Sequence, residues 1–290
     1  MNNTMEDGFE PKPVYAGIYG CILALGLPLN AFSLWILLRH HGLKSPSAVF
    51  MVNLAISDLL LVISLPMRVY FYATGTWPLS KEACIWITML YHNNIRSSAI
   101  FITFISVDRL LAVVYPLRSR NLRTASNALK AVGLAWLFVV VMNIPETVQF
   151  SRFLKNLNGS TCFEYPQKFH HGSVKAYRKS LVVYLQLVLV LTLLAVNIVC
   201  TTLVSWTLRR HLNNSARVNN KVNVMLIFVM NLVMFTICFL PMPIGFLTIG
   251  TSPILICLAT VNCCLDPLLY YFSLDAFWKK KEDTDLPREQ

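Results

Sequence analysis

Charge is what this chain lacks. Of its 290 residues only 13% are charged and 56% are hydrophobic, whereas an ordinary globular domain is about 25% charged. Acids are the scarcer sign: 14 Asp and Glu stand against 25 Lys and Arg, for a formal net charge of +11. The sequence has no Gly-rich phosphate loop, no Cys/His spacing of a zinc site and no nucleophile–base pair, and its few acids fall mostly near the ends, so an enzyme is not expected. Fixed-period repeats and low-complexity tracts are absent too. No charged n-region with a short apolar h-region and a cleavage site opens the chain, so the first apolar block is expected to act as its own insertion signal. The basic excess sits largely in connections between apolar blocks, and no nucleic-acid partner is expected.

What the sequence does have is long uncharged runs. Ser180 to Leu208 carries no formal charge across 29 residues, and Val222 to Leu274 carries only Asp266 across 53. A hydrocarbon core about 30 Å thick needs roughly 20 helical residues, so the second run is long enough for two spans. Seven apolar blocks follow one another, at 14–38, 47–72, 84–114, 128–150, 180–208, 222–249 and 253–272. The pattern predicts an all-α membrane protein, a seven-helix transmembrane bundle over 14–272. Residues 1–13 precede it, and 273–290 form a short amphipathic eighth helix and tail.

Lys and Arg concentrate in cytoplasmic loops. Arg39, Lys44, Arg118, Arg120, Arg123, Arg209, Arg210, Arg217, Lys221 and Lys279 to Lys281 all fall on one side of a seven-span chain. That side is expected to be cytoplasmic, in a multi-pass protein of the cell membrane whose acidic N-terminus lies outside. The sequons at Asn2 and Asn158 then face outward, where glycans are added, and the one at Asn213 faces inward. The connection from Ser151 to Lys179 breaks the rule: it lies outside, yet holds six basic residues and a single acid, Glu164. It reads either as a solvated loop or as a positive funnel for an anion. Of the eight cysteines, six lie inside apolar blocks, where Cys is usually a small buried hydrophobe. Cys84 and Cys162 lie at the outer boundary, where disulfides persist, and are expected to pair.

An ionisable group at membrane depth is expensive and usually functional. Asp58, Ser98, Asn262 and Asp266 are mid-span polar groups. If blocks two, three and seven pack together, two carboxylates approach and need a cation or a shared proton. A sodium site and a hydrogen-bond network without an ion remain open. Asp108–Arg109 ends block three and reads as either an anchor or a latch. Pro241 and Pro267 should kink blocks six and seven. Trp136 reads as lipid packing.

In order along the chain, Asn30 in "GLPLN", Asp58 in "NLAISDLL", Cys84, "DRL" at 108–110, Trp136, Cys162, "CFLP" at 238–241 and "DPLLY" at 266–270 resemble the landmarks of the rhodopsin-like G-protein-coupled receptors. The resemblance covers nearly the whole chain. "SLPMRVYFYATGTWP" and "NCCLDPLLYYF" resemble the branch holding nucleotide receptors and the non-Edg lysophosphatidic-acid receptors. It implies coupling to heterotrimeric G proteins through Asp108, Arg109, Pro241, Pro267 and Tyr270. It also implies an allosteric sodium among Asn30, Asp58, Ser98, Asn262 and Asp266, with no other cofactor. The chain departs from the pattern in having no proline in block five, Leu110 after Asp-Arg, Phe239 before the sixth-block Pro, and only 25 residues between Pro241 and Pro267.

Two cations lie inside spans on the outer side. Arg68 is ten residues beyond Asp58, about 15 Å at 1.5 Å per residue, and Arg96 is thirteen before Arg109. Phosphate and carboxylate suit a guanidinium, so Arg68 and Arg96 are the candidate headgroup site. Tyr70, Tyr72, Tyr91 and His92 form its wall, and Arg178 and Lys179 steer the ligand in. An apolar bundle interior favours a lysophospholipid over a nucleotide or small organic anion. Alternatively, Arg96 bonds Glu146 or backbone carbonyls and only holds helices together. A non-signalling decoy receptor and a transporter or channel are the remaining readings.

Overall fold

The computed structural model describes residues 10–155, 162–163, 181–210, 218–248 and 252–285. Among them all regular structure is helical: α1 (Pro13–Ile36) with a π-helical turn at Leu37–His41, α2 (Pro46–Thr74), α3 (Lys81–Val114), α4 (Ala125–Lys155), α5 (Leu181–Arg210), α6 (Val218–Phe239), α7 (Pro241–Thr248) and α8 (Pro253–Asp285). Six stretches are long and apolar enough to cross a membrane, α7 completing the sixth with α6, and α8 opens with a shorter apolar stretch, Pro253–Leu268. This is the expected bundle.

Local chemistry sets the ends. Ser45 caps α2 by accepting from Ala48 N (3.3 Å), and Pro46 follows it, a position where the missing N–H costs nothing. Ser80 caps α3 the same way through Ala83 N (3.2 Å). Gly75 closes α2 at φ 73°, its N–H on Phe71 O, a left-handed geometry that Gly adopts without strain. Pro241 breaks the sixth span at Leu240, as expected of a residue without an N–H. Helix α8 runs through Pro267 to Asp285, so the segment after 272 is helical and continuous with the seventh span. The last inter-helix connection is short because α7 ends at Thr248 and α8 begins at Pro253.

The polarity of the bundle is inverted relative to a water-soluble protein. Phe32 is 60% exposed, Trp35 57% and Leu134 68%, while Asn30, Asp58 and Asp266 are 0% exposed. Apolar side chains cover the outside because the solvent there is lipid, and the polar ones face inward, where partners exist. Helix α3 runs through the centre, packed on α2, α4, α5 and α6, and α1 lies against α2 and α8. Trp136 does more than face lipid, since its Nε1 donates to Asn53 Oδ1 (3.1 Å) and joins α4 to α2.

Cys84 and Cys162 are disulfide-bonded with Cα atoms 5.7 Å apart. The neighbouring Phe163 packs edge-on against Phe71 (5.4 Å) and Trp77 (5.3 Å). The bond closes a 78-residue separation, so its loss should destabilise the fold by about 2–4 kcal/mol. The double variant Cys84→Ser/Cys162→Ser should melt several degrees below wild type in detergent; an unchanged midpoint would show that the tie carries no stability.

Candidate functional site

At the disulfide end, α2 places Arg68 in the interior, 2% exposed. It carries no hydrogen bond and no ion pair among the described residues, and its Nε is buried without a partner. Its guanidinium instead lies over Phe163 (4.3 Å to the ring centre), Tyr91 (4.5 Å) and Tyr19 (6.0 Å). Such contacts give roughly 0.5–2 kcal/mol each, but leave the five N–H donors of the fork unsatisfied. Tyr91 is held by its hydroxyl, which donates to Ile256 O (3.2 Å). A cavity of about 60 Å³ opens here, lined by Arg68, Thr88, Tyr91, His92 and Phe163 with Met242 and Phe246 of α7. The Thr88 hydroxyl on its wall is buried and without a hydrogen-bond partner. Tyr72 packs among Tyr15, Tyr19 and Phe71, and Tyr70 is 42% exposed.

Arg96 corrects one expectation. The sequence offers it as a headgroup cation, but the bundle already satisfies it. Nε donates to Gln186 Oε1 of α5 (2.7 Å), and the two Nη groups donate to Asn143 Oδ1 and Glu146 Oε2 of α4. Glu146 also pairs with His92 Nδ1, and Asn143 donates back to Asn93. The cavity beside this network is about 20 Å³, room for one or two waters at ~10–15 Å³ each. Of the two roles left open for Arg96, holding helices together is the one this geometry supports. Two acceptors on α4 and one on α5 reach it only after the helices pack.

Deeper in the bundle, Asp58 accepts from Asn94 Nδ2 (2.9 Å) and Ser98 Oγ (3.4 Å), and Asp266 accepts from Asn262 Nδ2 (2.6 Å). The two carboxylates are near neighbours in the interior. One oxygen of each, and Asn262 Oδ1, are buried without a hydrogen-bond donor. An all-oxygen donor set with orphaned acceptors fits a small hard cation. Four of the five expected pocket residues thus meet. Asn30 does something else, donating to Gly26 O (3.0 Å) and Cys263 O (2.7 Å) to clamp α1 to α8. Sequence reasoning missed Asn94, although it lies one turn before Ser98 on the same face.

At the opposite end, the ion pair on Asp108 is made by Arg123, Nε to Oδ1 (2.8 Å) and Nη2 to Oδ2 (3.3 Å), with Ser47 of α2 also donating. No hydrogen bond joins Asp108 to the adjacent Arg109 among the described residues; the loop cation Arg123 engages the carboxylate. Successive residues on a helix point about 100° apart, whereas Arg123 returns on the loop to face the carboxylate. Asn231 of α6 donates to Ser106 of α3 (2.6 Å), and Asn197 of α5 donates to Thr103 (2.8 Å). Neither pair is legible in the sequence, since isolated Asn residues in apolar blocks give no register. Tyr270 is 2% exposed. Asn2, Asn158, Arg178 and Lys179 lie outside the described residues.

The Arg96 network generates a stability test. Glu146→Ala leaves a buried guanidinium without its countercharge, a loss of ~3–5 kcal/mol, and should lower the thermal midpoint sharply. Removing both charges in Arg96→Met/Glu146→Leu should restore most of it, and a double variant as unstable as the single one would refute the pairing.

Residues 29–270 match the model of the 7 transmembrane receptor (rhodopsin family). Lysophosphatidic acid receptor 6 of Gallus gallus is 32% identical over 293 positions, covering 94% of each chain. Lysophosphatidic acid receptor 4 of Homo sapiens is 33% identical over 298 positions, covering 96% of this chain and 79% of its own. Lysophosphatidic acid receptor 5 of Bos taurus is 33% identical over 284 positions, covering 90% and 76%. These relatives are receptors, not enzymes. With that match and the helix bundle described above, the chain belongs to the rhodopsin family of seven-transmembrane receptors.

Proposed function

We propose that this chain is a cell-membrane receptor for a lysophospholipid and that it activates a heterotrimeric G protein. The observation that carries the reading is Arg68, a cation 2% exposed, with no ion pair among the described residues and facing a cavity that admits roughly four waters and whose one acid, Glu146, is already paired with Arg96 and His92. A phosphate oxygen would accept the hydrogen bonds that the aromatic rings cannot, and charge-assisted bonds of this kind are about twice as strong as neutral ones. The rest of the wall, Met89, Phe150, Met242, Phe246 and Ile256, suits an acyl chain better than a ribose and base. The similarity to lysophosphatidic acid receptors 6 and 4 points the same way. The disulfide end is taken as extracellular and the Asp108 end as cytoplasmic, following the Lys and Arg distribution of the loops.

Signal passes through the sixth span in this reading. Met242 and Phe246 of α7 line the ligand cavity, and Pro241 separates α7 from α6. A shift of α6 has to break the Asn231–Ser106 bond, a cost of about 1 kcal/mol. It exposes Arg109 to the G protein, with Pro267 and Tyr270 accommodating the movement in α8. Sodium held by Asp58, Ser98, Asn262 and Asp266, with Asn94 as an added support, would stabilise the resting arrangement, because a ligand favours the state it binds better.

Two measurements test this. Arg68→Ala should fold and reach the surface yet need at least tenfold more lysophosphatidic acid for nucleotide exchange on Gα. A wild-type dose–response would rule out Arg68, and binding without any exchange in wild type would make the chain a decoy. Sodium should weaken agonist binding to wild type, and Asp58→Asn should abolish that sensitivity. Equal sodium responses in the two would rule out the ion.

A further inference from the structure

The largest of the cavities described lies at the other end of the bundle from Arg68. It measures about 190 Å³. Its walls are Phe50 of α2, Phe104, Val107 and Leu111 of α3, and Ala128 and Ala131 of α4. The space exists because α4 presents two alanines where α2 and α3 present phenylalanines. It lies between three membrane-spanning helices, and α4 carries lipid-exposed side chains close by in sequence, Leu129 47% and Leu134 68% exposed.

One rim is charged. Arg123 lines the cavity and holds Asp108 with Nε and Nη2, which leaves Nη1 outside the pair. Arg118 and Arg120 are exposed on the same loop, and Lys130 is exposed on α4. Asp108 is the one acid among the residues lining the cavity, and it is already neutralised. The groove is thus apolar inside, carries Arg123 on its lining with three more cations on the adjoining loop and helix, and lies at the end of the membrane spans.

We propose that this groove binds an anionic phospholipid of the adjoining leaflet, with one acyl chain between α2, α3 and α4 and its phosphate on Arg123, supported by Arg118, Arg120 and Lys130. A basic cluster beside membrane spans attracts anionic lipid headgroups, and the free Nη1 lets phosphate bind without breaking the Asp108 pair. The bound lipid braces α2, α3, α4 and the loop that carries Arg123 as one unit. It acts far from the Arg68 cavity and does not depend on the identity of the ligand there.

The full chain is reconstituted in phosphatidylcholine nanodiscs with or without phosphatidylserine; thermal midpoint and lipid adducts by native mass spectrometry are read out. Wild type should retain phosphatidylserine and melt several degrees higher when it is present. Soluble glycerophosphate, which has no acyl chain, should give no shift. Ala131→Phe, at a half-buried position with the groove open beside it, should melt as wild type in phosphatidylcholine and lose both the adduct and the shift. Arg118→Gln/Arg120→Gln leaves the Asp108 pair and the apolar walls intact, and should lose about fivefold in retention per cation removed. The proposal is overturned if Ala131→Phe keeps the adduct and shift, if glycerophosphate alone reproduces the shift, or, should Ala131→Phe fail to fold, if the arginine double variant retains phosphatidylserine as wild type does.

Discussion

A charged group inside a lipid-embedded bundle has no water to turn to, so the helices must supply its partner. The arrangement of this receptor follows from that constraint. Three of its interior charge clusters each bridge elements distant in sequence. Arg96 on α3 is met by Asn143 and Glu146 on α4 and Gln186 on α5. Asp58 on α2 is met by Asn94 and Ser98 on α3. Asp108 on α3 is met by Ser47 on α2 and by Arg123. Helix α3 takes part in all three, which is why its hydropathy is interrupted and its place is central. The Asn197–Thr103 and Asn231–Ser106 bonds extend the same logic to neutral groups.

Arg68 stands apart because its neighbours are rings rather than acids. The disulfide makes that arrangement tolerable. Cys162 is tied to the start of α3, and this holds Phe163 over the guanidinium. Aromatic faces attract the cation without competing for its donors, so the charge is sheltered while its hydrogen-bonding capacity stays open, as the proposed anion site requires.

The two deep carboxylates show the opposite economy. Asp58 and Asp266 are both fully buried and neighbours of each other, an arrangement that is costly unless a cation or a shared proton intervenes. Orphaned acceptors beside them keep that place available. A cation or a proton taken up there would change the electrostatic balance of the network.

Seven spans, the disulfide partners, the break at Pro241 and the meeting of Asp58 with Asp266 were legible in the sequence. Each is written locally: span length in the apolar runs, the break in a residue without an N–H, the disulfide in two cysteines at one boundary. The charges at depth were legible as a set but not as pairs. Arg68 and Arg96 look alike in sequence, one buried cation in each of two spans. Whether each is satisfied depends on the rotation of α4 and α5 about their axes, which brings Glu146, Asn143 and Gln186 within hydrogen-bonding distance of Arg96 and leaves Arg68 without an ion pair among the described residues. Asp108 beside Arg109 suggested a pair, but the cation hydrogen-bonded to the carboxylate is Arg123, which reads in the sequence as one more loop cation. Composition and spacing thus determined what had to be buried. Only the tertiary packing decided which buried charges satisfied each other, because the low-dielectric interior rewards a partner within hydrogen-bonding distance and sequence separation does not record distance.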